Sequence, residues 1–135
     1  MSARRFTAAV AALFFAGAGI GLALPASALE IRTYDMAEFD AARDAGTPIV
    51  VDIHAVWCPT CQAQRAVLHE LEDDPRFADV VVFSVDYDTE RQIMRLFAAP
   101  QRSTFIGFSG GEEIGRLHAQ TAYGDIEAFL LTLVD

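Results

Sequence analysis

The chain has 135 residues, a formal charge of −9, a hydrophobic share of 53% and two cysteines, Cys58 and Cys61. That length suits one small domain that buries its own core and leaves no room for a second. The acidic balance disfavours nucleic acid and other polyphosphates as partners, and a single cysteine pair excludes a framework of structural disulfides.

In chain order, Arg4-Arg5, an apolar run from Phe6 to Leu24 and the ending Pro25-Ala26-Ser27-Ala28 give a basic start, a hydrophobic middle and an A-x-A cleavage site. This reads as a secretory signal peptide over residues 1–28, followed by a domain over 29–135. The alternative is an uncleaved membrane anchor, since the run approaches spanning length, but Pro25 and the small residues favour cleavage. Loss of Arg4 and Arg5 takes the formal charge from −9 to −11, because all 19 acidic residues lie beyond Ala28.

Leu29 to Tyr34 alternates as a short strand, and Asp35 with Glu38 forms a capping-box start to a helix through Asp44, stopped by Gly46. Ile49 to Ile53 is β-branched apart from Asp52, as expected of an interior parallel strand. Ala63, Ala66, Val67, Leu68 and Leu71 then recur at helical spacing until Asp73-Asp74-Pro75. Val80 to Val85 is another strand, Asp86 to Asp88 its turn, and Thr89 with Gln92 a second capping box. That box opens a helix carrying Ile93, Met94, Leu96 and Phe97, which ends before Pro100. Thr104 to Phe108 and Glu113 to Leu117 flank Ser109-Gly110-Gly111-Glu112, a hairpin signal. Asp125 starts a last helix with Ile126, Phe129, Leu130 and Leu133. The order is βαβαβαββα, an α/β chain.

The chemistry falls where strand period changes to helix period, at Trp57-Cys58-Pro59-Thr60-Cys61. Cys58 is placed as N-cap and Pro59 as first helical residue, where its missing N–H costs nothing. The Cys58 sulfur then faces unpaired N–H groups and the positive end of the helix dipole, which favours the nucleophilic thiolate. Cys61, one turn later, can close the disulfide, so the pair reads as nucleophile and resolving thiol; a bridge across so small a loop stabilises little. Asp52 lies among Val50, Val51 and Ile53, where an ionised carboxylate is costly and should titrate high. His54 shares its strand face and reads either as a tuner of Asp52 or Cys58 or as a partly buried, hydrogen-bonded side chain. His69 and His118 read as surface residues. Two cysteines beside three histidines tempt a zinc assignment, but structural zinc wants four ligands at tighter spacing, and neither metal nor cofactor is expected.

At Asp52, Trp57, Cys58 and Cys61, and in the order of its elements, the chain resembles the thioredoxin family, whose signature is a hydrophobic strand with an Asp six positions before a Trp-Cys-X-X-Cys helix start. The resemblance implies a thioredoxin fold, a dithiol that exchanges with protein disulfides, and an Asp52 that accepts the proton of Cys61. It also places Trp57, Pro59, Thr60, Arg102, Ser103 and Thr104 at the docking surface. Three departures stand out. Pro59-Thr60 is neither the usual Gly-Pro nor a His-containing pair, Ser84 stands where the family often carries a Lys paired with the Asp, and Ser103 stands where the family carries a cis-proline. A cis bond before a non-proline costs about 2.5–4 kcal/mol, so a trans peptide is expected there. Ser103 would place a hydroxyl near the sulfurs. Arg102 reads either as positive charge beside the thiolate or as a solvated loop residue.

The reading reached is a periplasmic, monomeric thiol–disulfide oxidoreductase that reduces protein disulfides through Cys58 and Cys61. The resemblance implies a membrane thiol transporter as electron donor. The alternatives are a metal chaperone or metal/cluster-binding module on the same CxxC, and an exported oxidase or isomerase.

Overall fold

A computed structural model describes residues 28–135; the predicted signal peptide, Ala28 apart, lies outside the described residues. Five strands form one sheet in the order β1-β3-β2-β4-β5. They are β1 (Glu30–Thr33), β2 (Ile49–His54), β3 (Val81–Asp86), β4 (Thr104–Ser109) and β5 (Glu112–His118), with helices α1 (Met36–Asp44), α2 (Pro59–Leu71), α3 (Arg91–Leu96) and α4 (Tyr123–Val134). β1 and β2 both run parallel to β3, whereas β4 is antiparallel to β2 and β5. This is the thioredoxin fold, a mixed sheet flanked by helices.

The central strand β2 is buried over Ile49 to Ile53 because both faces of the sheet are covered. On one face Val50, Val82 and Phe105 meet Leu68 and Leu71 of α2 and Ile126 and Leu130 of α4. On the other, Val51, Phe83 and Ile106 join an aromatic cluster in which Phe39, Phe97 and Phe108 stack edge to face. Fully burying each such side chain contributes about 1.5–3 kcal/mol, so the strand is held from both sides. The alternation puts Asp52 on the α2 face with Val50, within reach of the helix that carries the cysteines. Gly107 permits the close packing of α4, since a Cβ there would lie 2.6 Å from Leu133 Cδ2.

Several boundaries differ from the sequence expectation for identifiable reasons. Asp35 caps α1 by accepting from the Glu38 N–H, but the Glu38 carboxylate pairs with Arg32 rather than closing the box. The Thr89–Gln92 box does not form: the Thr89 hydroxyl and N–H both go to the Asp86 carboxylate, and Glu90 takes the N-cap position of α3 without a side-chain cap. Ala63 and Ala66 face solvent, and Cys61 and Gln64 take the buried side of α2 with Val67, Leu68 and Leu71. Pro75–Phe77 adds a short 3-10 turn that sinks Phe77 into the core. α4 starts at Tyr123, two residues before Asp125. Gly110 and Gly111, both at positive φ, make the β4–β5 turn, as the Gly pair anticipates.

Candidate active site

β2 delivers the chain to the helix start at the sheet's centre. Cys58 is extended (φ −87, ψ 116) and caps α2, its sulfur accepting from the Cys61 N–H at 3.4 Å, with Pro59 in the first turn. A thiolate here has the place an Asp or Ser side chain usually fills. Both cysteines are unbridged and buried, Cys58 being 2% exposed, and they pack with Ala55 and Tyr87.

The segment before β4 closes over them. Ser103 is buried, has φ +56, and no cis peptide occurs among the described residues. Its left-handed backbone is pinned from two sides: its carbonyl accepts from Gln64 Nε2 of α2 at 3.3 Å and from the Ala119 N–H at 2.8 Å. A proline, locked near φ −65°, cannot adopt this conformation. The Ser103 hydroxyl sits 3.1 Å from Cys61 Sγ and 3.4 Å from Cys58 Sγ. One hydroxyl carries one proton. With Cys58 as thiolate, Ser103 donates to Cys58 and accepts from the Cys61 thiol.

These contacts separate the two sulfurs. Burial pushes the Cys58 thiol up, but the Ser103 hydroxyl, the Cys61 N–H and Arg102 outweigh it and leave Cys58 at about 6. For Cys61 burial prevails over the Ser103 and Ala55 hydrogen bonds, the neighbouring Cys58 adds to it, and its pKa is raised. Cys58 is therefore the thiolate at neutral pH and Cys61 the thiol.

Arg102 lies over the dithiol, its guanidinium 4.8 Å from the Trp57 ring centre and 5.9 Å from that of Tyr87, and it hydrogen-bonds Cys58. Of the two sequence readings, the structure gives it the place beside the sulfur. Trp57 is 53% exposed yet braced, donating from Nε1 to Asp88 at 2.7 Å. Thr60 and Ser103 line a pocket of about 320 Å³ beside Cys58, with Tyr87, Arg102 and His118. Thr104 turns away from the sulfurs, donating to the Gln101 carbonyl and meeting His118 Nδ1 at 3.0 Å. Pro59 is exposed at the helix start.

Asp52 is 1% exposed, and burial raises its carboxyl above the usual range against the opposing charges of Arg65 and His54. Arg65 Nε donates to Asp52 at 3.1 Å and its other arm hydrogen-bonds Ser84, while His54 Nδ1 is 3.9 Å away. Among the described residues no group of three or more His, Cys, Asp or Glu is placed to hold a metal.

The thioredoxin family model matches residues 30–132. The chain belongs to the thioredoxin family. Its fold and paired cysteines are those of a thiol–disulfide oxidoreductase. Among solved structures this thioredoxin-family chain is similar to Trxlp from Edwardsiella tarda EIB202, at 34% identity and a TM-score of 0.73, covering 75% of this chain and 98% of that one. Among curated relatives it is 34% identical over 91 residues to a thioredoxin H-type of Brassica campestris, 67% of this chain and 72% of the relative. It is 33% identical over 79 residues to thioredoxin H2-1 of Oryza sativa subsp. japonica, a match spanning 58% of this chain and 56% of the relative.

Sequence reasoning missed Arg65, Gln64, Tyr87 and Asp88, whereas His118 is exposed as expected and also borders the pocket beside Cys58. Arg65 follows Cys61 by four and Gln64 by three, spacings that share a helix face, and that signal could have found them. Tyr87 and Asp88 reach the site through the β3 turn, with no local pattern to announce it.

Proposed function

We propose that this protein is an exported reductant of protein disulfides. The observation that carries the reading is the asymmetry of the dithiol: a hydrogen-bonded Cys58 at about 6 beside a Cys61 held protonated by burial. The Cys58 thiolate attacks a client disulfide, an S–S bond forms between Cys58 and the client, and the client's other sulfur leaves with the electron pair as a thiolate. Cys61 then loses its proton, attacks Cys58 Sγ, and expels the second client thiolate. The client gains two electrons and the protein becomes the Cys58–Cys61 disulfide. Asp52, buried on the α2 face with Arg65 as counter-ion, takes the Cys61 proton in this reading. Ser103 supplies the first acceptor in contact with that thiol.

Export rests on Arg4-Arg5, the apolar run and Ala26-Ser27-Ala28. In an oxidising compartment the pair stays reduced only if electrons are supplied, for which a membrane thiol transporter is the proposed source. Among the described residues no helix is long and apolar enough to cross a membrane. The deciding measurement is the reduction potential of the Cys58–Cys61 couple. A value near about −270 mV is expected of a reductant, and one near about −120 mV would make the protein an oxidant instead.

A further inference from the structure

We propose that Arg91, Arg95 and Arg102 form a cationic rim that recognises acidic residues beside the disulfide of a client protein, a substrate preference that rests on the oxidoreductase reading above. Residues 28–135 contain eight arginines. Five of them, Arg32, Arg43, Arg65, Arg76 and Arg116, are tied to carboxylates. Among the described residues Arg91, Arg95 and Arg102 make no ion pair, and all three are exposed.

These three side chains, none of them paired with a carboxylate, converge. Arg91 lies 5.4 Å from the Tyr87 ring centre and Arg102 5.9 Å from the same ring, so Tyr87 is a shared platform for both guanidiniums. Arg91 and Arg95 flank a cavity of about 540 Å³ floored by Met94, Ala99 and Pro100. Pro100 and Arg102 also border the pocket at Cys58. The two cavities share Pro100, which sets Arg91 and Arg95 on the far side of that proline from Cys58 and Arg102.

The carboxylates nearest in sequence turn to other partners than these arginines. Asp86 accepts from Thr89 and the Asp88 N–H, Asp88 accepts from the Trp57 indole, and Glu90 accepts from the Asp86 N–H. In a chain of formal charge −9, Arg91 and Arg95 without a carboxylate partner, next to the Arg102 that faces the Cys58 thiolate, concentrate positive charge beside the nucleophile. The rest of the surface repels an acidic client and the rim attracts it. Opposed fields of this kind set the docking orientation and the rate of encounter. A basic client gains from neither the rim nor an approach along it.

The test uses the reduced full chain and two synthetic peptides of the same length, each closed by one disulfide, one flanked by glutamates and the other by lysines. Hydroxyethyl disulfide serves as uncharged reference. The acidic peptide should be reduced about tenfold faster at low salt, the preference collapsing toward parity at about 0.3 M salt, where screening acts within a few ångströms. R91E/R95E should invert the preference, and the milder R91Q/R95Q should abolish it. Equal rates for both peptides, or a preference for acid that survives both double variants, would overturn the proposal while leaving the oxidoreductase reading intact. Failure to reduce hydroxyethyl disulfide would instead count against that reading. Docking is then read directly from Trp57, the only tryptophan, by its fluorescence on titration with peptides carrying Ser for Cys. Tighter binding of the acidic peptide supports the rim, and equal binding overturns it.

Discussion

Removing the Ser103 hydroxyl should raise the Cys58 pKa. The hydroxyl makes the largest of the contacts that lower it, at 3.4 Å from the sulfur. A hydrogen bond to a charged group contributes about 1.5–3 kcal/mol, and one pKa unit corresponds to about 1.36 kcal/mol. The contact is long and the pocket opens to water on one side, so the lower half of that range applies. Cys58 should therefore move from about 6 to roughly 7–7.5 in Ser103→Ala. At pH 7 the thiolate falls from about nine-tenths of the population to between about a half and a quarter. The assay is the pH dependence of ultraviolet thiolate absorbance and of iodoacetamide alkylation.

Ser103→Gly is the matched control. Ser103 sits at φ +56, where alanine bears the same backbone cost as serine and glycine bears almost none. The two variants should differ in stability, glycine melting higher than alanine, and agree in the thiolate midpoint. A shared rise belongs to the hydroxyl rather than to a strained loop. If both variants keep a midpoint at about 6, then Arg102 and the Cys61 N–H suffice to hold the thiolate, and the role given to Ser103 is wrong.

Two further outcomes follow from the same geometry. Cys61→Ser should accumulate mixed disulfides with client proteins and Cys58→Ser should not, as read on non-reducing gels; the reverse pattern would exchange the roles of the two sulfurs. Asp52 has a folded pKa raised above its unfolded value of about 3.9, so its favourable contribution is complete below that value and is lost as pH rises through the folded one. Asp52→Asn removes that loss: it should melt higher than the parent at pH 7, with the gain fading near pH 4. The same variant should slow release of the mixed disulfide, and unchanged single-turnover kinetics across pH 6 to 9 would argue against proton transfer to Asp52.

The parts of the fold that were legible in the sequence are those where a local pattern and the tertiary environment agree. Ile49 to Ile53 is β-branched and doubly covered, and the shift from period two to period 3.6 marks the helix start to the residue, because a Cys-Pro pair suits the cap and the first turn alike. Where a side chain had a competing partner, the pattern misled. Thr89 could cap a helix, yet the Asp86 carboxylate gathers its hydroxyl and N–H and leaves α3 uncapped. Ser84 lies opposite Asp52 in register, and the positive charge beside that acid comes from Arg65 on α2, which no pattern around Ser84 announces. Nothing in a serine announces a positive φ, so the backbone at Ser103 was unreadable from the chain alone.

That backbone decides how one hydroxyl can serve two sulfurs. Cys58 and Cys61 are both buried, both touch Ser103, and burial alone would raise both; nevertheless they are pushed in opposite directions. The difference comes from what each sulfur has besides Ser103. Cys58, at the N-cap, receives the Cys61 N–H and faces Arg102, whereas Cys61, one turn into the helix, meets a neighbouring sulfur whose charge opposes its own ionisation. The asymmetry is thus built by the helix start and the arginine rather than by the Pro59-Thr60 dipeptide between the cysteines. Substituting Thr60 while keeping Pro59 at the first helical position leaves every one of these contacts in place, so the order of the two thiols is a property of where the helix begins.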